Sequence, residues 1–340
     1  MNRLPSDAPR IAVLVPCYNE EVAITQVVRD FHRCLPQAQV FVYDNNSRDN
    51  TVVRAIAAGA TVGREERQGK GNVVRRMFSD IEADVYVLVD GDATYDAASA
   101  APMIERLLQD KLDMVVGVRI HEAQEAYRSG HRFGNALLTG FVTQLFGRSF
   151  TDILSGYRVF SRRFVKSFPA LSRGFEIETE LTVHALELAL PVSELKTPYG
   201  ARPEGSTSKL STYRDGWRIL RVILGLYRHE RPLLFFGAAS AVLLLLAMAL
   251  GAPIVLEWAR TGLVPRLPTA VLATGITMLS ALMFTAGLVL ETVTRGRQEM
   301  RRLVYLQVPA FDAADPGGAA AEMAITDAAI QRAQRVPQPQ

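Results

Sequence analysis

Residues 85–92 read VYVLVDGD. An unbroken apolar run containing three valines ends on two carboxylates with one glycine between them. Such a run suits a strand buried on both faces, and strands of that kind belong to parallel sheets. Two carboxylates at the mouth of a buried strand are costly to place together without a cation. Hard oxygen ligands of this type suit Mg²⁺ or Mn²⁺, which also bridge to phosphates. A solvated Asp-Gly turn is the plainer account of the same residues.

The pattern recurs on both sides of this stretch. IAVLVPCY at 11–18, VFVYDN at 40–45, a short segment near Thr61 and MVVGVR at 114–119 are further expected strands. Helical spacing from Glu20 to Arg33, a helix opening in SRDNT at 47–51 and another from about Gly71 separate them. Alternating strands and helices imply an α/β fold with a mostly parallel sheet and helices on both faces. Ligands of such sheets bind at the carboxyl ends of the strands. The polar motifs sit there. Pro16-Cys17-Tyr18-Asn19-Glu20 ends the first strand, and Asp44-Asn45-Asn46-Ser47 ends the second. Both are also ordinary helix-capping sequences, and capping alone accounts for either one taken singly. Gly69-Lys70-Gly71 places a lysine at a helix start, where N–H groups and the cation can hold a phosphate. It lacks P-loop spacing, which argues against a nucleoside triphosphatase.

The mean hydropathy of +0.09 hides a division of the chain. Residues 233–256 and 269–290 contain no charged side chain. Each exceeds the roughly 20 residues that a helix needs to cross a bilayer, although buried core helices are the other reading. Arg228, Arg231, Arg295, Arg297, Arg301 and Arg302 flank the pair, while the connection carries only Arg260 and Arg266 with Glu257. The positive-inside rule then places both termini and the catalytic domain in the cytoplasm, on a multi-pass protein of the inner membrane. STYRDGWRILRVILGLYRHER at 211–231 reads as an amphipathic helix on the membrane lipids, and 132–146 more weakly so. The expected domains are 1–210, the juxtamembrane segment 211–231, the spans within 232–295 and a partly disordered tail over 296–340, loosely ordered beyond Pro309 where Ala, Asp, Pro and Gln dominate.

Two cysteines, Cys17 and Cys34, support neither a disulfide scaffold nor a zinc site and fit a reducing compartment. MNRLPSDAPR lacks the apolar core of a signal peptide, so export of this end is not expected. A net charge of +3 is too small to suggest nucleic acid as a partner.

Taken in order, Pro-x-Tyr-Asn-Glu, Asp-Asn-x-Ser-x-Asp-x-Thr, Gly-Lys-Gly and Asp-x-Asp resemble a family 2 glycosyltransferase of the GT-A fold. Asp152-x-x-Ser155-Gly156-Tyr157-Arg158 and Arg202-Pro203-Glu204-Gly205-Ser206-x-Ser208-Lys209 are similar to the polyprenyl-phosphate sugar synthases, the group that includes dolichol-phosphate mannose synthase. The resemblance covers about residues 10 to 230. It implies that Pro16, Tyr18 and Glu20 hold the base and ribose, with Asn19 and Asn46 beside them and Asp44 reading the base. Asp90 and Asp92 match the metal pair for Mg²⁺ or Mn²⁺, and Gly91 lies against the nucleotide. Lys70, Arg202 and Lys209 fall on the donor diphosphate. Arg119 and Arg132 match the acceptor-phosphate contacts, and Asn135, Ser155 and Arg158 are grouped with them. Thr94 stands where mannose synthases often carry a glutamine, which puts a third protein ligand to the metal in doubt.

The reaction implied is inverting transfer of one sugar from a nucleotide sugar, UDP- or GDP-linked with UDP-glucose preferred, to polyprenyl phosphate. Asp92, Asp152 and Arg202 are the residues expected to carry it, with Asp152 orienting an arginine or the acceptor. Glu176 and Glu178 are assigned a supporting role as the charged start of a helix. Relatives also imply a homo-oligomer. Two alternatives stand beside this reading. One is a membrane glycosyltransferase of cell-envelope polysaccharide synthesis with a carbohydrate, lipid or protein acceptor; the other is a non-catalytic subunit of the same fold. The chain lacks the Gln-x-x-Arg-Trp sequence of processive synthases, and two spans cannot enclose a glycan channel.

Overall fold

The computed structural model describes residues 8–121, 150–172, 174, 176–201 and 231–311, with the single residues 140, 225 and 228. These fall into two compact units, one within residues 1–126, 150–208 and 304–340, the other within 127–149 and 209–303.

In the first unit the chain runs β1 (Ile11–Cys17), α1 (Ile24–Cys34), β2 (Gln39–Asp44), α2 (Thr51–Ala57), β3 (Thr61–Arg64), α3 (Lys70–Asp80), β4 (Val85–Leu88), α4 (Ala100–Gln109) and β5 (Met114–His121). It continues through β6 (Arg158–Ser161), α5 (Arg162–Ser167), α6 (Ile177–Glu187) and β7 (Val192–Tyr199). The seven strands form one mixed sheet in the order β3-β2-β1-β4-β6-β5-β7. β1 pairs in parallel with β2 and β4, β2 with β3, and β5 with β7. β6 runs antiparallel to both of its neighbours. The expected strands are present. β6 and β7 were not read as strands: RVFS is only four residues long, and most of VSELKTPY is half-buried, so neither shows a long apolar run.

Strand alternation sends successive side chains to opposite faces. Val13, Val15, Val40, Val42, Val87 and Val159 pack with Phe31 of α1 and Met103 of α4. Tyr86 and Phe160 carry the other face, where Phe78 of α3 and Phe164 of α5 meet them ring to ring. Both faces are therefore covered, and β1 and β4 are buried along nearly their whole length. Truncating the fully buried Leu88 to Ala would cost about 2–5 kcal/mol.

The register lines up one edge of the sheet. Cys17 pairs with Asp44 at the ends of β1 and β2, and Leu88 at the end of β4 pairs with Arg158 at the start of the antiparallel β6. Arg119 and Thr197 are partners near the ends of β5 and β7. The loops that carry the sequence motifs leave from this edge.

The second unit holds α7 (Pro232–Thr261) and most of α8 (Leu267–Gln307), both long and apolar enough to cross a membrane. Their buried residues recur every seventh position: Ser240, Ala247 and Ile254 on α7, and Ala273, Ser280, Gly287 and Thr294 on α8. A seven-residue repeat of mostly small side chains lets two helices pack closely, as membrane helices do. Ser240 Oγ donates to the Ser280 carbonyl and Ser280 Oγ to the Ser240 carbonyl, each at 2.9 Å. The remaining surface is apolar and exposed, including Val242, Leu245, Val271, Leu282 and Val289. Thr274, Thr277 and Thr285 return their hydroxyls to carbonyls four residues back. Their donors are thereby satisfied within the helix, as lipid surroundings demand. Soluble core helices would bury much more of this surface. Residues 296–307 continue the helix. The expected amphipathic segments 211–231 and 132–146 lie outside the described residues apart from isolated positions, as does the tail from 312 onward.

Candidate active site

The turns after β1 and β2 are joined to each other. Asn19, with a φ of 52°, donates its N–H to Ser47 Oγ at 2.9 Å and accepts from the Arg48 N–H at 2.8 Å. The Glu20 N–H donates to Thr51 Oγ1, and the Glu21 N–H to Asp49 Oδ2. The Asp44 carboxylate, nearly buried, accepts the Ser47 N–H. Polar residues that look like two separate caps in the sequence thus knit two loops into one wall. Asn46 donates to the Glu66 carbonyl at 2.7 Å. Asn45, given no role of its own in the motif, ties three segments together: its amide donates to the Glu65 and Arg67 carbonyls and its oxygen accepts the Gly69 N–H. Pro16 and Tyr18 lie in the same wall, at the end of β1.

Beyond β4 the chain presents Asp90, Gly91 and Asp92. A Cβ on Gly91 would stand 2.6 Å from Cys17 Sγ, so only glycine lets this loop close onto β1. Asp92 is buried, and its Oδ1 accepts both the N–H and the hydroxyl of Thr94, at 3.2 and 2.6 Å. Thr94 therefore serves to fix Asp92. Lys70, the first residue of α3, extends Nζ between Asp90 Oδ1 and Glu178 Oε1, each 2.5 Å away. Burial by itself would depress the ammonium, but Asp90 and Glu178 together hold its pKa well above the ordinary lysine value. Burial raises the Glu178 carboxyl and Asp90 adds to that, with Lys70 opposing both. Glu178 is thus a buried member of this cluster, beyond the helix-start charge expected of it. Behind the cluster is backbone: a Cβ on Gly156 would lie 2.6 Å from Asp90 Oδ2 and 3.1 Å from Lys70 Nζ. Among the described residues no three His, Cys, Asp or Glu side chains are grouped to hold a metal ion by themselves.

On the β5 side, Arg119 grips Asp152 with Nε and Nη2, at 2.7 and 2.8 Å, and its guanidinium lies 5.6 Å from the centre of the Tyr199 ring. Tyr199 also packs edge-on against Tyr95, whose hydroxyl accepts the Gly156 N–H. Desolvation raises the phenol of Tyr95 far above its ordinary value, so it stays protonated. Neither tyrosine carried a motif, and only the fold reveals them. A cavity of about 520 Å³ opens along this edge, lined by Asp90, Thr94, Tyr95 and Pro198 together with Asp30 and Phe31 of α1. That size suits a small-molecule site.

Two expected acceptor contacts need correction. Ser155 is fully buried and donates to the Gly117 carbonyl at 2.6 Å. Arg158 is likewise fully buried, and its guanidinium donates to the Ser155 and Ile153 carbonyls and to Thr182 Oγ1. Desolvation brings its pKa down to about 10. Both residues are buried beneath the loop that carries Asp152 and Gly156, with their polar groups bonded to the protein. Arg132, Asn135, Arg202 and Lys209 lie outside the described residues.

Residues 12–168 match the family model described as glycosyl transferase family 2. The chain is 32% identical to glycosyltransferase AglJ of Haloferax volcanii over 302 residues, 87% of this chain and 98% of that protein. A dolichyl-phosphate hexose transferase of the same organism is 27% identical over 221 residues, 65% of this chain and 95% of that one. Among solved structures, glucosyl-3-phosphoglycerate synthase from Mycobacterium tuberculosis, in complex with Mn²⁺, UDP and phosphoglyceric acid, shares the fold with a TM-score of 0.52. The match is 22% identical and covers 64% of this chain and 78% of that one.

Proposed function

This chain belongs to glycosyltransferase family 2, and from that premise we propose that it transfers one sugar from a nucleotide sugar to a polyprenyl phosphate at the cytoplasmic face of a membrane. One observation carries the reading. The acidic edge of a GT-A-like sheet and two helices apolar enough to span a bilayer occur in the same chain, as a lipid-borne acceptor requires. The likeness to a dolichyl-phosphate hexose transferase over nearly all of that protein's length supports the same acceptor class. The arginines that flank the helices favour a catalytic unit on the cytoplasmic side.

The residues at the edge fit a divalent cation. Asp90 and Asp92 offer hard oxygen ligands, Thr94 holds Asp92 in place, and the donor diphosphate and water fill the positions that the protein leaves. Mn²⁺ or Mg²⁺ is the ion of choice, in line with the Mn²⁺ of the structural neighbour. When bound, such an ion offsets the charge that develops on the departing diphosphate. The protein does the rest. Asp44 and the joined turns after β1 and β2 receive the nucleotide, with Arg202 and Lys209 on its diphosphate. The acceptor phosphate is already an anion near neutral pH, so it needs placement more than a general base. Asp152 sets the plane of Arg119 for that purpose. An acceptor phosphate oxygen bonds to the anomeric carbon as the bond from that carbon to the diphosphate breaks, with inversion.

UDP-glucose is the first donor to try, since the neighbour binds UDP. The test is to incubate the detergent-solubilised protein with a panel of UDP- and GDP-sugars and undecaprenyl phosphate, and to identify the lipid product by mass spectrometry. A polyprenyl-phosphate sugar is the expected product. Equal turnover with the dephosphorylated polyprenol would replace the acceptor by a neutral one.

A further inference from the structure

Lys70 is placed unlike a phosphate-binding lysine. Its side chain is 9% exposed, and its ammonium lies 2.5 Å from a carboxylate oxygen on each side. One of them, Asp90 Oδ1, is a ligand atom that a cation at the acidic pair would need. The other, on Glu178, belongs to a side chain 7% exposed whose second oxygen is buried without a hydrogen-bond partner among the described residues. On the Gly156 side the space beside Asp90 is tight, since even a Cβ there would stand 2.6 Å from its Oδ2.

From this juxtaposition we propose that Lys70 is a placeholder cation. It occupies Asp90 until a divalent ion arrives, and Glu178 is the positioning residue that then keeps its ammonium. The physical reasons are two. A buried ammonium cannot be released from one carboxylate unless another retains it, since an unpaired buried charge costs several kcal/mol. The flexible four-carbon stem lets the ammonium turn toward Glu178, whose unpartnered oxygen is ready to accept it. Glu178 thus sets the affinity of Asp90 and Asp92 for the ion without touching it. The acidic pair also remains paired while empty, which avoids repulsion between Asp90, Asp92 and Glu178.

The inference rests on the divalent-ion reading above, and the experiment separates the two. Mn²⁺ binding to the detergent-solubilised full chain is followed by electron paramagnetic resonance of the free ion, without nucleotide. Glu178→Gln should weaken binding about tenfold, because Lys70 then has only Asp90 to hold. Lys70→Gln should tighten it by about the same factor, since the competitor is gone. Lys70→Gln/Glu178→Gln should bind at least as well as the unmodified protein, so that loss of the lysine suppresses loss of the glutamate. Lys70→Arg keeps the charge and the fold, grips Asp90 with two N–H groups, and should weaken Mn²⁺. Unchanged or weaker binding in Lys70→Gln, or a double variant as weak as Glu178→Gln, overturns the placeholder role and leaves the metal reading standing. Failure of the unmodified protein to bind Mn²⁺, without nucleotide and again with UDP added, overturns both.

Discussion

Carboxylates gather at both ends of the sheet, and they are satisfied in different ways. At the amino end Asp113, fully buried just before β5, receives the Ser161 hydroxyl, Arg163 Nε and the Tyr305 hydroxyl. Nearby, Asp84 takes the N–H and the guanidinium of Arg10, and Glu82 pairs with Lys166 and Arg162. Each acid there has its own cation. At the carboxyl end Asp90 and Glu178 share one lysine, while Asp92 is held by a neutral threonine. The acids of the amino end thus each meet a cation, whereas two of those at the carboxyl end share one. Completing the partners of a charge stabilises the fold, and carboxylates that share one cation are the ones the proposed reaction would use.

Variants at the two ends can break that comparison. Asp92→Ala should reduce the initial rate of lipid glycosylation by roughly 10²–10³-fold, with an unchanged circular dichroism spectrum, and chelation of divalent ions should do the same. Activity that survives chelation would place Asp92 among the structural charges. At the other end, Asp113→Ala leaves Arg163, Ser161 and Tyr305 without their acceptor, and should cost about 3–5 kcal/mol of stability in denaturant unfolding. Mn²⁺ affinity of the molecules that remain folded should not change. If it does, the two ends are coupled and the contrast fails.

Smaller effects sharpen the contrast. Arg119→Ala removes a charge-assisted contact worth roughly 1.5–3 kcal/mol, so the apparent affinity for polyprenyl phosphate should fall about tenfold or more. Nucleotide affinity, measured by calorimetry, should stay within about twofold, because Asp44 and the acidic pair are untouched. A parallel loss of nucleotide affinity would move Arg119 to the donor side. Glu82→Gln should change stability by less than about 1 kcal/mol, since this carboxylate is half exposed. Burial would raise its pKa, but Lys166 and then Arg162 hold it below the ordinary value of 4.5. Its small contribution is therefore present at neutral pH and is lost as the pH falls through the depressed value. The Glu82→Gln variant should show a slightly flatter acid unfolding curve.

Much of the site was legible as residue types and little of it as partnerships. The acidic pair and Lys70 stood out as charges beside apolar strand runs and at a helix start, while Arg119 and Asp152 came from the family resemblance alone. Asp152 was expected to orient an arginine, and it does hold Arg119. Arg158 and Ser155 were placed on the acceptor, since a motif does not reveal whether its polar members point outward or beneath the loop. Tyr95 and Tyr199 had no signal beyond composition, and Asn45 and Gly156 stood in motifs that gave neither a role. Glu178 was discounted because a glutamate near a helix start has an adequate local explanation.

By itself the sequence determined β1 to β5, the two apolar helices and the end of the sheet where the chemistry gathers. These depend on local pattern: unbroken apolar runs, long charge-free stretches, and polar residues where a strand stops. The tertiary structure alone decided which charge meets which. Lys70 reaches Glu178 across 108 residues, Arg119 reaches Asp152 across 33, and Tyr305 reaches Asp113 across 192. Only the strand order and the antiparallel entry of β6 bring these segments to common edges. A charge carries no mark of its partner in its sequence neighbourhood, because electrostatic pairing acts through space over a few ångströms, whatever the length of chain between.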